Sequence, residues 1–173
     1  MPLVRQCLRR TLLLFSVPLI LTAFIILLGT ARAESPDSID AVVPALPDSV
    51  SIDNKVIYLD FWASWCPPCR VSFPWMQQLR DRYQDRGFEI VAVNVDHDQA
   101  AAKEFLTGVE TTFPIVYDSA GTLAKQFELQ AMPTSFLFSR DGALVTSHVG
   151  FRPGDTLLLD SMVRSLLTEE VAE

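Results

Sequence analysis

Two histidines and three cysteines are all that the 173 residues offer as strong metal ligands. His97 and His148 stand alone and far apart, so no set of four ligands with zinc-site spacing can be assembled. Basic residues are also scarce. Residues 34–173 carry 10 of them against 21 acidic ones, a net charge of −11, which argues against a nucleic-acid partner. Room for a second domain is lacking too, since the 140 residues after position 33 suffice for a single core.

What is present begins with an export pattern. Arg5, Arg9 and Arg10 precede an uncharged apolar run from Thr11 to Leu28, and Ala31-Arg32-Ala33 has the small-x-small form of a cleavage site. The segment 1–33 therefore reads as a signal peptide, with Glu34 as the first mature residue. The run is 18 residues long, enough to span a bilayer, so an uncleaved membrane anchor over residues 11–28 is the alternative. In either case the basic residues ahead of the run place the chain beyond it outside the cytoplasm, in a bacterial periplasm. Cys7 lies ahead of the run, where a lipid-acceptor cysteine would not sit.

Pro36, Pro44 and Pro47 with neighbouring Ser and Asp make 34–52 a linker, and the folded domain is expected over 53–170. The β-branched and aromatic run 56–62 reads as a buried strand. A helix follows over 68–86, kinked at Pro74 and ending before Gly87. Residues 88–95 form a nearly continuous apolar run, as in a parallel strand buried on both faces. A helix of about ten residues started by Asp96-His97-Asp98, a strand over 113–117 and a helix over 119–129 come next. Strands 134–138 and 143–149 turn at Asp141-Gly142, and the last helix runs over 153–168. The order βαβαβαββα gives an α/β fold: a central mixed sheet flanked by helices, its last two strands a hairpin.

The two cysteines of the domain, Cys66 and Cys69, are separated by Pro67 and Pro68 at the start of the first helix. A bridge between them closes too small a loop to stabilise much, so chemistry explains them better than cross-linking. A thiol at a helix N-terminus is favoured as thiolate, as disulfide exchange requires, and a second thiol three residues on can resolve the mixed disulfide. Asp60 interrupts strand 56–62 on the face opposite Ile57, Leu59 and Phe61. Buried there without a partner it should titrate high; a partly solvated strand-end acid is the plainer reading.

Phe61-Trp62-Ala63-Ser64-Trp65-Cys66-Pro67-Pro68-Cys69, with Met132-Pro133-Thr134 downstream, resembles a thioredoxin-fold protein. It is most similar to the TlpA, ResA and DsbE group of exported thiol-disulfide oxidoreductases. The likeness covers residues 50–168 and includes the αβ unit over 97–117 that this group inserts into the basic fold. It implies a protein-disulfide reductase whose Cys66–Cys69 pair needs no cofactor and no metal. Its partners would be disulfide-containing exported proteins, in a setting such as cytochrome c maturation, and a DsbD-like or CcdA-like membrane electron donor. A disulfide-forming oxidant is the other direction.

The resemblance assigns Asp60 to moving the proton of Cys69 and makes Pro133 a cis-proline facing the cysteines. Met132 would then offer its backbone to a bound peptide, and Trp65, Pro67 and Pro68 its contact surface, with Trp62 in the core. Three departures stand out. Ala92 replaces a lysine common near the buried acid, Ser72 replaces a glutamate common three residues after the second cysteine, and 34–55 holds little of the N-terminal hairpin usual in the group. A peroxidase is disfavoured because Tyr58 and Ala63 stand where P-x-x-x-T-x-x-C needs Pro and Thr. A copper carrier of this fold is disfavoured because its usual C-x-x-x-C is one residue longer.

Overall fold

A computed structural model describes residues 37–48 and 50–168. The export segment, and with it the anchor over 11–28, lies outside the described residues. No helix among the described residues is long and apolar enough to cross a membrane.

The elements follow the expected order. They are β1 (Val56–Trp62), α1 (Pro67–Tyr83), β2 (Phe88–Asn94), α2 (Gln99–Thr107), β3 (Ile115–Tyr117), α3 (Thr122–Gln126), β4 (Thr134–Phe138), β5 (Leu144–Val149) and α4 (Thr156–Leu166). They build one five-stranded sheet in the order β3-β2-β1-β4-β5. β1, β2 and β3 run parallel, and β4 pairs antiparallel with both β1 and β5. Helix connections force the parallel pairs and the tight turn at Asp141-Gly142 forces the antiparallel one.

Every residue of β1 and β2 is buried, because helices cover both faces of the sheet. On one face Tyr58 and Trp62 pack with Phe73 and Met76 of α1, Phe105 of α2 and Leu159 and Val163 of α4. On the other, Ile57, Leu59 and Phe61 pack with Leu123 and Phe127. α1 continues through Pro74 and gives way to a 3₁₀ turn at Gln84–Arg86. Gly87 then reverses the chain at φ 79°, with the Arg140 guanidinium in the space a Cβ would need.

The expected linker is the main correction. Residues 39–41 and 43–45 form two 3₁₀ turns, Ile39 and Val42 are buried in the second face, and Ser38 bridges Ala143 on the edge beyond β5. Ile39 N–H bonds Gly142 O at 3.0 Å, and Leu144 N–H bonds Asp37 O at 2.8 Å. Pro44 opens the second turn. The prolines set tight turns that carry isolated apolar residues onto the sheet, and the folded unit begins well before residue 53.

Candidate active site

The chemistry-bearing residues gather at the C-terminal end of β1. Asp96 shapes the loop there: its carboxylate accepts from Ser64 N–H at 2.8 Å, Ser64 Oγ at 2.9 Å and Asn94 Nδ2 at 2.7 Å. This buried clamp fixes the chain two residues before Cys66. Cys66 is the N-cap of α1, with extended backbone (φ −96°, ψ 104°), and Pro67 and Pro68 occupy the first two helical positions. Cys66 and Cys69 are joined as a disulfide, their Cα atoms 5.3 Å apart. Cys69 N–H donates to Cys66 Sγ at 3.2 Å.

A groove of about 370 Å³ opens over the disulfide, lined by Trp65, Cys66, Pro67, Pro68, Met132 and, unforeseen from the sequence, Leu129 to Ala131. Cys66 reaches it although only 3% exposed, and Cys69 is fully buried. The nucleophile candidate is thus far less open than its place at the helix start suggests. Trp65 stands out at 66% exposure, whereas Trp62 is in the core, 4.9 Å from the Phe73 ring and 4.8 Å from Phe105. The Met132–Pro133 bond is cis. Thr134 Oγ donates to Ala131 O at 2.8 Å and Gly150 N–H to Pro133 O at 2.7 Å, which tie this loop to β4 and β5.

Asp60 lies on the α1 face of β1, between Tyr58 and Trp62, at 2% exposure. Its Oδ2 has no hydrogen-bond partner among the described residues, and burial pushes its carboxyl well above the usual range. Its neighbours across the sheet are Ala92 on β2 and Ser135 on β4. No cation from β2 stands beside it, as the sequence indicated. Burial, and after it the charge of Asp60, push the Tyr58 hydroxyl upward, and that hydroxyl donates to Ser135 Oγ at 2.7 Å. Ser72, in the position of the missing glutamate, is buried and its Oγ donates to Cys69 O at 3.0 Å.

Sequence reasoning missed the Asp96 clamp and the Tyr58–Ser135 pair. The first had a signal in Asn94-Val95-Asp96 directly after a strand; the second had only alternation along β1 and β4. His97 and His148 bind Ser119 O at 3.2 Å and Asp155 at 3.4 Å. Among the described residues no three His, Cys, Asp or Glu side chains are grouped to hold a metal ion.

The Redoxin family model matches residues 41–163. The chain is 35% identical over 97 residues to the thiol-disulfide oxidoreductase ResA of Bacillus thuringiensis subsp. konkukian, an alignment covering 56% of each chain. It therefore spans little more than half the length of the ResA relatives it matches. With the sporulation thiol-disulfide oxidoreductase A of Bacillus subtilis it is 33% identical over 147 residues, 76% of this chain and 89% of that one. Among solved structures, a Chlorobium tepidum chain described as a thiol:disulfide interchange protein DsbE superposes with a TM-score of 0.66 at 44% identity, covering 67% of this chain and 82% of that one. The mixed five-stranded sheet flanked by helices is the thioredoxin fold that the motifs implied.

Proposed function

The chain belongs to the Redoxin family, and on that premise we propose that it is an exported thiol-disulfide oxidoreductase that reduces disulfides of protein partners through Cys66 and Cys69. The observation that carries the reading is the disulfide at the start of α1, with Cys66 lining the groove and its Sγ accepting from Cys69 N–H. A thiolate on Cys66 would be held by that N–H and by the helix end.

Cys66 attacks the partner disulfide, its sulfur bonding to one partner sulfur while the other leaves as thiolate. Cys69 then attacks Cys66, restoring the internal disulfide and releasing the second partner thiolate. Asp60, buried with an unpartnered oxygen, takes the proton that Cys69 must lose. Met132 and Pro133 offer backbone to an extended peptide, and Trp65, Pro67 and Pro68 offer apolar contact. The pair serves as its own redox centre, without cofactor or metal. The partners are disulfide-containing exported proteins, and in a bacterial periplasm electrons would come from a DsbD-like or CcdA-like membrane donor. The export pattern of residues 1–33, as signal or anchor, supports that location.

The test is insulin disulfide reduction by the full chain. Cys66→Ser abolishes it, and Cys69→Ser accumulates covalent mixed disulfides with partners. Mixed disulfides formed by Cys66→Ser and not by Cys69→Ser would reverse the roles.

A further inference from the structure

Four residues stand side by side across the sheet on the α1 face: Ala92, Asp60, Ser135 and His148, each opposite the next in the strand register. Directly opposed side chains on antiparallel strands hold their Cβ atoms about 4.5–5.5 Å apart. At one end of the row Ala92 supplies no polar atom. At the other, His148 reaches the surface: its side chain is 26% exposed and its Nε2 lies 3.4 Å from Asp155 Oδ2, itself 28% exposed. Ser135, in the middle, takes the Tyr58 hydroxyl hydrogen bond at 2.7 Å. Tyr58, Ser135, Thr146 and His148 also enclose, with Leu159 and Met162, a void of about 10 Å³. That is the scale of a single water site, but the wall the void exposes is apolar, so a water there would lack hydrogen-bond partners and a proton crossing this row passes between the side chains themselves.

We infer that this row is the path by which the proton on Asp60 exchanges with solvent, with His148 the positioning residue at its mouth. The inference rests on the reading of Asp60 as the acceptor for Cys69. When Cys69 attacks Cys66 in the mixed disulfide, its S–H bond breaks, the Cys66–Cys69 bond forms, and the partner sulfur leaves with the electron pair of the broken S–S bond. The Cys69 proton goes to Asp60. Asp60 can take it because it has first passed the proton that burial retains to Ser135, whose hydroxyl proton moves to the imidazole opposite it, and the imidazolium releases a proton to water. The partner thiolate takes one from water, so protons and electrons balance.

Among the described residues opposite Asp60 in the sheet, the polar ones lie on this side. β2 presents Ala92, and the row towards β5 presents a hydroxyl and then a group able to accept at one nitrogen and donate from the other. The groups facing His148 are Tyr58 from β1 and Asp155 from the turn before α4; α4 itself contributes apolar Leu159 and Met162 to the void. Asp155 Oδ2 lies 3.4 Å from the imidazole Nε2 and also accepts Arg152 N–H at 2.8 Å, which fixes its position. A structural clamp between His148 and Asp155 is the competing role, and glutamine would preserve it.

The experiment is single-turnover oxidation of the reduced full chain by an aromatic disulfide that releases a coloured thiolate. The first release reports attack by Cys66 and the second reports resolution by Cys69. His148→Gln is expected to leave the first phase unchanged and slow the second roughly tenfold, below the ~100-fold typical of a group in direct proton transfer. Added imidazole restores the second phase in His148→Ala, and Ser135→Ala, which leaves Asp155 untouched, slows it similarly. His97→Gln, at the other histidine, changes neither phase. A normal second phase in His148→Gln and Ser135→Ala, while Asp60→Asn slows it, overturns the path and leaves Asp60 as acceptor. A normal second phase in Asp60→Asn overturns both, and no thiolate release by the unmutated chain overturns the thiol-exchange reading itself.

Discussion

The backbone N–H of Cys69 lies 3.2 Å from Cys66 Sγ, and the two residues between them, Pro67 and Pro68, have no N–H to add. An N-cap acceptor is ordinarily served by the second and third residues of its helix; here only the third can serve. The Cys66 thiolate therefore gains less from the helix start than it would in a chain with ordinary residues there.

Restoring the missing donor should change the chemistry in a known direction. Pro68→Ala adds an N–H at the second helical position, stabilises the Cys66 thiolate and makes the couple more oxidising by about 30 mV, one tenfold step in the exchange constant. Equilibration with glutathione measures it, and an unchanged potential would show that first-turn donors do not set the couple.

Asp60 should make the protein less stable as pH rises. Its folded carboxyl titrates above its unfolded one because of burial, so between the two values the folded state holds the extra proton and stability falls with pH. The loss runs at up to about 1.4 kcal/mol per pH unit from about pH 4 upward until the buried carboxyl ionises. Asp60→Asn removes that slope, so denaturant titrations at several pH values should show its advantage over the unmutated chain growing with pH. A constant difference between the two would mean that Asp60 is not desolvated.

Trp65 separates binding from folding. At 66% exposure it contributes little to the core, so Trp65→Ala should change stability by no more than about 0.5 kcal/mol. Its loss from the groove should raise KM for protein disulfides more than it lowers kcat. A marked fall in melting temperature would make Trp65 a packing residue instead.

The N-terminal segment gives a prediction that a linker would not. Val42 is fully buried, so Val42→Ala should cost about 1–3 kcal/mol in urea unfolding, whereas the same change in a solvated linker would cost almost nothing.

The sequence held most of this fold because its two periodicities were clean. The apolar run at 56–62 read as a buried strand and that at 88–95 as a parallel strand covered on both faces, and Cys66-Pro67-Pro68-Cys69 after the first marked a helix start. The burial of Asp60 was half legible: a lone carboxyl stood in an apolar run, and only the packed sheet separates a buried acid from a solvated one at a strand end. The packing of Ile39 and Val42 was not, since single apolar residues among prolines carry no period and their burial depends on a sheet face assembled from distant strands. The row from Asp60 through Ser135 to His148 was hidden for a related reason. It exists only in strand register, and its first step, from Asp60 to Ser135, joins residues 75 positions apart in the chain.

The direction of electron flow is the part of the account most exposed to a single number. With one donor available to the Cys66 thiolate and no cation between the cysteines, the reduced form gains little stabilisation and the protein should give electrons away. The full chain, equilibrated with glutathione buffers and quenched to count Cys66–Cys69 disulfide, should show a potential nearer about −270 mV than the about −120 mV of a strong oxidant; a value above roughly −150 mV would contradict the reductase reading and make the chain a disulfide-forming oxidant.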